Sequence, residues 1–265
     1  PAFVRFFEEV QPDPEMREFL QRLCGYTLTG AMGEHILPFH YGVGRNGKGT
    51  FLEQVVLKVM GSYAAKVTDS LVYIDKRGSK PDLEIAGLCG IRFALGEENA
   101  DKGHLNERLL KSMTGADRQK GRFHYKDYFE YDPTAKIHLV GNHRPVISGR
   151  DNGIWRRFRL INWEVEIPQE REDLGLANRL RAEFPGILNW LIAGAKALGA
   201  HGTRPPARVL AATAKFREDS DTFGDFLREK TIEDGVAEMP KKGLYDLYRE
   251  WCDEQEIQPR FRYTK

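Results

Sequence analysis

Cysteine is scarce in this sequence, and its pattern argues against a disulfide-stabilised domain and against a zinc-binding domain. The 265 residues include three cysteines, Cys24, Cys89 and Cys252, which are scattered along the chain. They form no Cys-x-x-Cys pair, so neither a disulfide framework nor a zinc site is indicated. A reducing, cytoplasmic environment is therefore expected.

Long apolar runs and a large net charge are also missing. No run approaches the roughly 18 apolar residues of a membrane span, and no signal peptide is visible, so we expect no membrane partner. The formal net charge is +1, which means that any nucleic-acid site must be a local one. The chain begins at Pro1 and ends in FRYTK, and we expect it to be a piece of a longer protein.

Apolar periodicity predicts alternating strands and helices through the middle of the chain. The predicted strands are 34–42, 89–99, 136–145 and 158–168, and the predicted helices are 13–24, 48–60, 106–115 and 184–198. This order favours an α/β core with a mostly parallel sheet.

Three parts are expected along the chain. Residues 1–30 form a helical lead-in, 31–198 form the core, and 199–265 form a small helical or winged-helix part. The boundary is placed at GAHGTRPPARV, 199–209, which is rich in Gly and Pro. Short helices are predicted beyond it, around 208–218, 221–229 and 243–255.

The segment HYGVGRNGKGTFLE, 40–53, carries the strongest functional signal. Gly42, Gly47 and Lys48 match G-x-x-x-x-G-K between a predicted strand and a predicted helix, a context typical of a phosphate-binding loop. Glycines let backbone N–H groups face phosphate oxygens, and the lysine adds a full charge. The residues predicted to bind the nucleotide, ATP, are Gly42, Gly44, Asn46, Gly47, Lys48, Gly49 and Thr50.

Gly49 departs from the common pattern, because a Ser or Thr that ligates Mg²⁺ usually follows the lysine. The hydroxyl of Thr50, one position later, faces another direction. It contacts the α phosphate or reaches Mg²⁺ directly or through water, and the sequence leaves these alternatives open.

Polar residues follow two predicted strands, at positions where hydrolytic groups are expected. Glu97 and Glu98 end one strand, and we assign Glu97 to the metal and Glu98 to the attacking water. Asn142 ends another strand and suits a positioning role towards γ phosphate and water. Arg156 and Arg157 are either transition-state ligands from a neighbouring subunit or a basic surface pair.

The order of five landmarks resembles the superfamily 3 helicase domain of phage, plasmid and poxvirus-type primase-helicases. The landmarks are GVGRNGKGTF, LCGIRFALGEEN, LLKSMTGADRQKGRFHYKDYFEYDP, KIHLVGNHRP and GIWRRF, which together cover roughly residues 30–165. In that family glycine also occurs after the loop lysine.

The resemblance implies an AAA+ type P-loop core that assembles as a ring, often a hexamer, with ATP sites between subunits. It implies movement on single-stranded or forked DNA, an upstream primase domain or partner, and host cytoplasm as the location if a phage encodes the chain. By motif, Lys48 would hold phosphates, Asn142 would be the sensor, and Arg156 or Arg157 would act in trans.

The segment RQKGRFHYK, 118–126, is the candidate DNA contact. Cations alternate with aromatic rings and no acid interrupts them, a mixture that suits single-stranded nucleic acid. The residues expected to touch DNA are Lys120, Arg122, His124 and Lys126. The alternation also predicts a hairpin.

The sequence is compatible with three functions. The favoured one is an ATP-driven DNA helicase motor of a replication protein. An ATP-dependent DNA-binding switch or loader that does not unwind DNA is the alternative. A P-loop kinase for small molecules is disfavoured, because paired acids, a sensor Asn and paired arginines suit attack by water.

Overall fold

The predicted α/β architecture is confirmed in a computed structural model of the chain. The structure describes residues 1–74, 82–97, 104–147, 152–199, 202–232, 238–257, 259 and 262–263. A five-stranded, fully parallel sheet forms its centre, and helices cover both faces. No described helix combines the length and apolarity needed to cross a membrane.

The sheet places the strand before the glycine-rich loop near its middle. Its strands are β1 (Leu37–Tyr41), β2 (Ala64–Val67), β3 (Phe93–Glu97), β6 (Lys136–Gly141) and β7 (Phe158–Asn162). Their spatial order is β2-β3-β6-β1-β7, and β4 (Gln119–Gly121) and β5 (Phe129–Tyr131) form a separate antiparallel pair. The strand between β1 and β3 is therefore β6, so the ends of all three meet.

One face of the sheet is covered by the amino-terminal helices and by helices from late in the chain. This layer contains α1 (Ala2–Val10), α2 (Pro14–Thr29), α8 (Leu176–Ala182), α9 (Phe184–Ala197) and the helix that follows the glycine-rich loop. That last helix is π-helical over Thr50–Val56 and continues as α3 (Leu57–Met60). The helices of the lead-in thus share one apolar cluster with the loop helix.

The other face is covered by short helices from the middle of the chain and by α10. They are α4 (Asp69–Val72), α5 (Asp82–Gly87), α6 (Glu107–Thr114), α7 (Asn152–Trp155) and α10 (Ala207–Asp219). The side chain of Phe216 enters this cluster, and the backbone N–H of Leu160 in β7 donates to Thr213 Oγ1 at 2.9 Å. Helix α10 therefore packs directly on the sheet.

The last two helices form a small cluster of their own. Helices α11 (Thr222–Lys230) and α12 (Lys241–Glu254) enclose Phe226, Tyr248, Trp251 and Cys252. Within the described part of 199–265 the secondary structure is helical and includes no strand. Whether 199–265 is a separate helical or winged-helix part stays a prediction.

Candidate functional site

The predicted nucleotide-binding residues converge at the carboxyl end of the sheet, where β1, β3 and β6 finish. Neighbours in register near that end are Tyr41 with Gly141, and Glu97 with Val140. Ligands of open parallel sheets bind at this end, outside the strand termini. The loop after β1 lies here, and so do the acid that ends β3 and the amide that follows β6.

The glycine-rich loop has a conformation that depends on glycine at two positions. Gly44 and Gly47 have φ of 112° and 74°, values that side-chain-bearing residues rarely adopt. A Cβ at Gly47 would also lie 2.3 Å from Val10 Cγ1. Residues at positive φ turn successive N–H groups towards one side, which is the arrangement that binds anions.

The Lys48 ammonium links the loop to the end of β6. It donates to Gly42 O at 2.8 Å, to Gly141 O at 3.1 Å and to Asn142 Oδ1 at 2.7 Å. Its side chain is buried, with 5% of the residue exposed. The lysine and the predicted sensor amide are therefore adjacent, as a shared phosphate-binding role requires.

Most of the predicted site lines one cavity of about 410 Å³. Its walls include Gly44, Asn46, Gly47, Lys48, Gly49, Thr50, Glu97 and Asn142. Gly42 is joined to them through its carbonyl contact with Lys48. The prediction for Glu98 falls outside the residues that the structure describes.

Glu97 belongs to a three-residue ion bridge at the rim of this cavity. Lys66 Nζ, at the end of β2, lies 2.6 Å from Glu97 Oε1 and 2.7 Å from Glu53 Oε2. Hydrogen bonds to Glu53 and then to Glu97 raise the pKa of Lys66 above its usual value. The sequence-based prediction included neither Lys66 nor Glu53.

The oxygen donors of the cavity fit Mg²⁺. Glu53, Glu97 and Thr50 all line it, and their carboxylate and hydroxyl oxygens are ligands that Mg²⁺ accepts. Among the described residues no group of three or more His, Cys, Asp or Glu side chains could hold a metal by itself. In nucleotide sites Mg²⁺ usually binds through one or two carboxylates together with phosphate oxygens and water.

A second cavity of about 580 Å³ adjoins the first, and Arg45, Gly47 and Thr50 line both. Its apolar walls come from Phe6 in α1 and from Ile167, with Leu176 and Ala177 in α8. Its charged rim comprises Arg5, Glu9, Arg171, Glu172, Asp173 and Arg179. An apolar cavity of this size with a charged rim has room for a group as large as a nucleoside.

A buried chain of hydrogen bonds supports the loop from inside the sheet. Trp163 O accepts from Asn46 Nδ2 at 3.2 Å, and Trp163 Nε1 donates to His40 Nδ1 at 3.3 Å. His40 and His138 are joined at 3.2 Å, and His138 Nε2 lies 3.0 Å from Thr27 Oγ1. Burial, reinforced by the Lys48 charge, lowers the pKa of His40 to about 3.

The two arginines lie at the opposite end of the sheet. Leu37 N, at the start of β1, donates to Arg157 O at 2.7 Å, so the pair precedes the amino end of β7. Arg157 Nη1 donates to Gly153 O at 2.7 Å, which holds this side chain against its own helix, α7. The Arg156 side chain is exposed and makes no hydrogen bond or ion pair with a described residue.

The predicted basic–aromatic hairpin is present, formed by β4 and β5. Its base is fixed to α5: a Cβ at Gly121 would lie 2.6 Å from Ala86 N, and Tyr131 hydrogen-bonds to Ile85 O. Residues 132–135 then lead into the amino end of β6. The hairpin and the arginine pair therefore belong to the end of the sheet away from the 410 Å³ cavity.

The four residues predicted to touch DNA, Lys120, Arg122, His124 and Lys126, are all exposed on this hairpin. Arg122 Cζ and Lys120 Nζ lie over the ring of Tyr128, at 4.6 and 5.0 Å from its centroid. Tyr125 is fully exposed near the tip and has a positive φ of 59°. Cations and an open aromatic ring are thus presented together to solvent.

Comparison with known proteins finds relatives in large DNA viruses. Residues 40–157 match a family described as being of unknown function, DUF5906. The chain is 28% identical over 270 residues to a candidate helicase, L207/L206, of Acanthamoeba polyphaga mimivirus, covering 93% of this chain and 28% of that protein. It is 27% identical over 282 residues to a candidate primase, C962R, of African swine fever virus (strain Badajoz 1971 Vero-adapted), covering 92% of this chain and 27% of that protein.

A third relative is a candidate helicase, 022R, of Frog virus 3, which is 28% identical over 266 residues. Among solved structures, the apo A form of the NrS-1 C-terminal region matches 96% of this chain and 61% of that one, with a TM-score of 0.58 and 12% identity. At this identity the structural likeness concerns the fold alone.

The sequence-based prediction did not include Glu53, Lys66 or Trp163, which the structure places at or next to the site. Glu53 follows Gly49 by one helical turn, so i, i+4 spacing was the available signal. Lys66 stands in a short edge strand with weak alternation, and Trp163 acts through its backbone carbonyl. The chain has no local pattern that would reveal the last two.

Proposed function

We propose that this chain is the ATP-driven motor segment of a DNA-replication helicase or primase-helicase. The observation that carries the proposal is the meeting of Lys48, Asn142 and Glu97 around one cavity at the carboxyl end of a parallel sheet. The names of the viral relatives favour a helicase or primase role in DNA replication. Because the chain spans about 28% of the length of the first of them, other activities of a longer protein lie outside this proposal.

In the proposed site, backbone N–H groups of the loop and the Lys48 ammonium bind the β and γ phosphates of ATP. Glu97 would hold Mg²⁺, which when bound would neutralise charge on the phosphates. The side chain of Asn142, in contact with Lys48, would orient the attacking water. Glu98 remains our proposal for the group that accepts the proton of that water.

The nucleoside would extend past Arg45 and Thr50 into the adjoining 580 Å³ cavity. Apolar side chains there would cover the faces of a base, and the charged rim would face the ribose and solvent. This extension favours a whole nucleotide over an isolated phosphate as the ligand.

Arg156 is the better candidate for an arginine that acts on a neighbouring subunit's nucleotide. The five residues of β7 separate it from the carboxyl end of its own sheet, a span of roughly 16 Å. An arginine side chain does not cover that distance, so any contact with phosphate would be with a partner's site. Arg157 is held to Gly153 and suits a structural role.

A matched pair of variants tests the nucleotide site. Lys48→Ala should abolish binding of a fluorescent ATP analogue, because the phosphates lose their buried cation. Lys58→Ala, an exposed lysine farther along the same helix, should leave binding unchanged. Equal affinity in the two variants would contradict the proposal.

Strand displacement on a forked duplex then separates the two replication roles. A helicase motor should unwind the fork with ATP and not with a non-hydrolysable analogue. ATP-dependent binding to DNA without any unwinding by the assembled protein would favour the switch or loader.

A further inference from the structure

The ion bridge at the cavity rim contains two residues that have no role in the proposed reaction, Lys66 and Glu53, beside Glu97, which would hold Mg²⁺. Three elements bring it together: β2 supplies the lysine, β3 supplies one glutamate, and the loop helix supplies the other. The ammonium lies 2.6 and 2.7 Å from one oxygen of each carboxylate. It therefore stands between two acids at the rim of the phosphate cavity, where a cation shared by both would also lie.

The charge balance of the bridge favours a divalent cation over the lysine. Two carboxylates carry two negative charges, and one ammonium neutralises half of that. Side chains of all three residues are partly exposed, with Lys66 at 50%. Ion pairs in such surroundings are weak, so exchange for another cation costs little.

Gly49 explains why a carboxylate is useful at this place. A Cβ on Gly49 would lie 3.8 Å from Glu53 Oε1, so Glu53 borders the space that a Ser or Thr side chain at position 49 would enter. The chain has no hydroxyl there. The free oxygen of Glu53 faces the position from which the hydroxyl of the common loop pattern serves Mg²⁺.

We propose that Lys66 is a positioning residue that holds Glu53 and Glu97 together at the cavity rim and is displaced from them when Mg²⁺ binds. Glu53 then supplies, directly or through water, the oxygen that Gly49 lacks. The inference rests on the proposed function, since it assigns the cavity to a nucleotide with Mg²⁺. Lysine and metal are competitors because both are cations that bind the same two carboxylate groups.

The test is a Mg²⁺ titration of the nucleotide-free protein. The midpoint of thermal unfolding is measured at each MgCl₂ concentration. Lys66→Met should lower the half-saturating MgCl₂ concentration at least fivefold, because the competing cation is gone and two repelling carboxylates remain. Lys66→Arg, which keeps the bridge, should stay near the wild type. Lys58→Met removes the same charge from an exposed position on the helix that carries Glu53 and should change nothing.

A double variant assigns the effect to the glutamates. With Glu53→Gln in place, Lys66→Met should produce little or no gain in Mg²⁺ affinity. An unchanged or higher half-saturating Mg²⁺ concentration in Lys66→Met alone would overturn the inference. So would a selective loss of ATP over ADP affinity in EDTA, because that result would make Lys66 a phosphate ligand.

Failure of this inference is distinguishable from failure of the proposed function. Binding of an ATP analogue in EDTA depends on Lys48 and the loop and does not involve the exchange. If the wild-type protein binds the analogue but Lys66→Met shows no change in Mg²⁺ affinity, the proposed nucleotide site stands and the proposed role of Lys66 fails.

Discussion

At the scale of single residues, the buried histidines have a protonation state that their neighbours determine. Trp163 Nε1 can only donate, so His40 Nδ1 must accept from it, and His40 Nε2–H must donate to His138 Nδ1. His138 Nε2–H then donates to Thr27, whose hydroxyl donates to Leu23 O at 2.9 Å. Each ring nitrogen in this series of hydrogen bonds is therefore either a donor or an acceptor. A further proton on either ring would place two N–H donors face to face and break a hydrogen bond.

This arrangement predicts a loss of stability in mild acid. Burial lowers the pKa of His40 to about 3 and that of His138 well below its usual value, whereas both titrate near 6.5 in the unfolded chain. The unfolded state therefore binds more protons as the pH falls below about 6.5. Each histidine should then remove up to about 1.4 kcal/mol of unfolding free energy per pH unit.

Urea unfolding at pH 7.5 and at pH 5.5 measures the effect. The double variant His40→Leu/His138→Leu should show a clearly shallower decline between these two values, since its core has no group to protonate. Equal declines in the wild type and the double variant would assign the pH dependence to other residues.

The same scale shows where prediction from sequence stops. Lys48 and Gly47 were identifiable because their function depends on neighbours within the loop. Lys66 and Glu53 were not, because their meeting depends on the packing of β2 beside β3. The donors and acceptors of His40 are likewise decided by residues that lie far apart in sequence.

At the scale of elements, the hairpin differs from the sheet in how it is held. It is anchored on α5 by Tyr131 at its base and by a hydrogen bond from Tyr128, nearer its tip, to Asp82 Oδ2 at 2.7 Å, while Lys120, Arg122, Lys126 and Tyr125 are exposed. Arg118 is the exception among the cations, since it pairs with Glu130 and Asp132. A firmly based, cationic and aromatic element suits contact with a flexible strand.

Removing two hairpin cations should weaken DNA binding in a salt-dependent way. Lys120→Ala/Arg122→Ala should lower affinity for a single-stranded oligonucleotide. The slope of log affinity against log salt should fall by about 1.4, because roughly 0.7 is lost for each phosphate contact on a single strand. Fluorescence anisotropy at several salt concentrations gives both quantities.

Lys241→Ala/Lys242→Ala is the matched control, since it removes the same charge from exposed positions at the start of α12. It should leave the salt slope near that of the wild type. If both double variants lowered the slope equally, the effect would be one of overall charge, and the hairpin would have no special role.

The elements also differ in how well local sequence foretold them. The strands β1, β3, β6 and β7 are apolar and bordered by clear turns, and each lies within its predicted range. Strand β2 is short and half-exposed, so its alternation carries little signal. The second cavity escaped prediction because its walls come from α1 and from residues 167–179, which meet only after folding.

At the scale of the whole molecule, the 410 Å³ cavity around Lys48 and Arg156 lie at opposite ends of one sheet. Two such chains can combine them only head to tail, with the arginine end of one against the cavity end of the next. Contacts of this kind are heterologous, and they form rings when the rotation closes. The polarity of the parallel sheet is thus compatible with the ring that the family resemblance implies.

Mixing two inactive variants tests whether Arg156 acts on a partner. Lys48→Ala and Arg156→Ala should each be inactive as ATPases, but a mixture should regain turnover where an intact arginine meets an intact cavity. Random assortment at equal amounts would restore roughly a quarter of the sites. Steady-state hydrolysis across a series of ratios should peak near equal amounts.

Arg157→Ala is the comparison, because its side chain is bound to Gly153 within its own chain. We expect it to lower the unfolding midpoint and to show no such peak when mixed with Lys48→Ala. Absence of recovery for the Arg156 pair at every ratio would contradict a role in trans.

The distance between Arg156 and the cavity of its own chain also affects how ATP turnover should depend on protein concentration. On the proposed function, a solitary chain carries one part of each of two sites and the whole of neither. ATP turnover per chain would then rise with protein concentration. Dilution alone would abolish ATP hydrolysis by chains that remain fully folded. Subunit concentration would act as the regulator, with no effector molecule required.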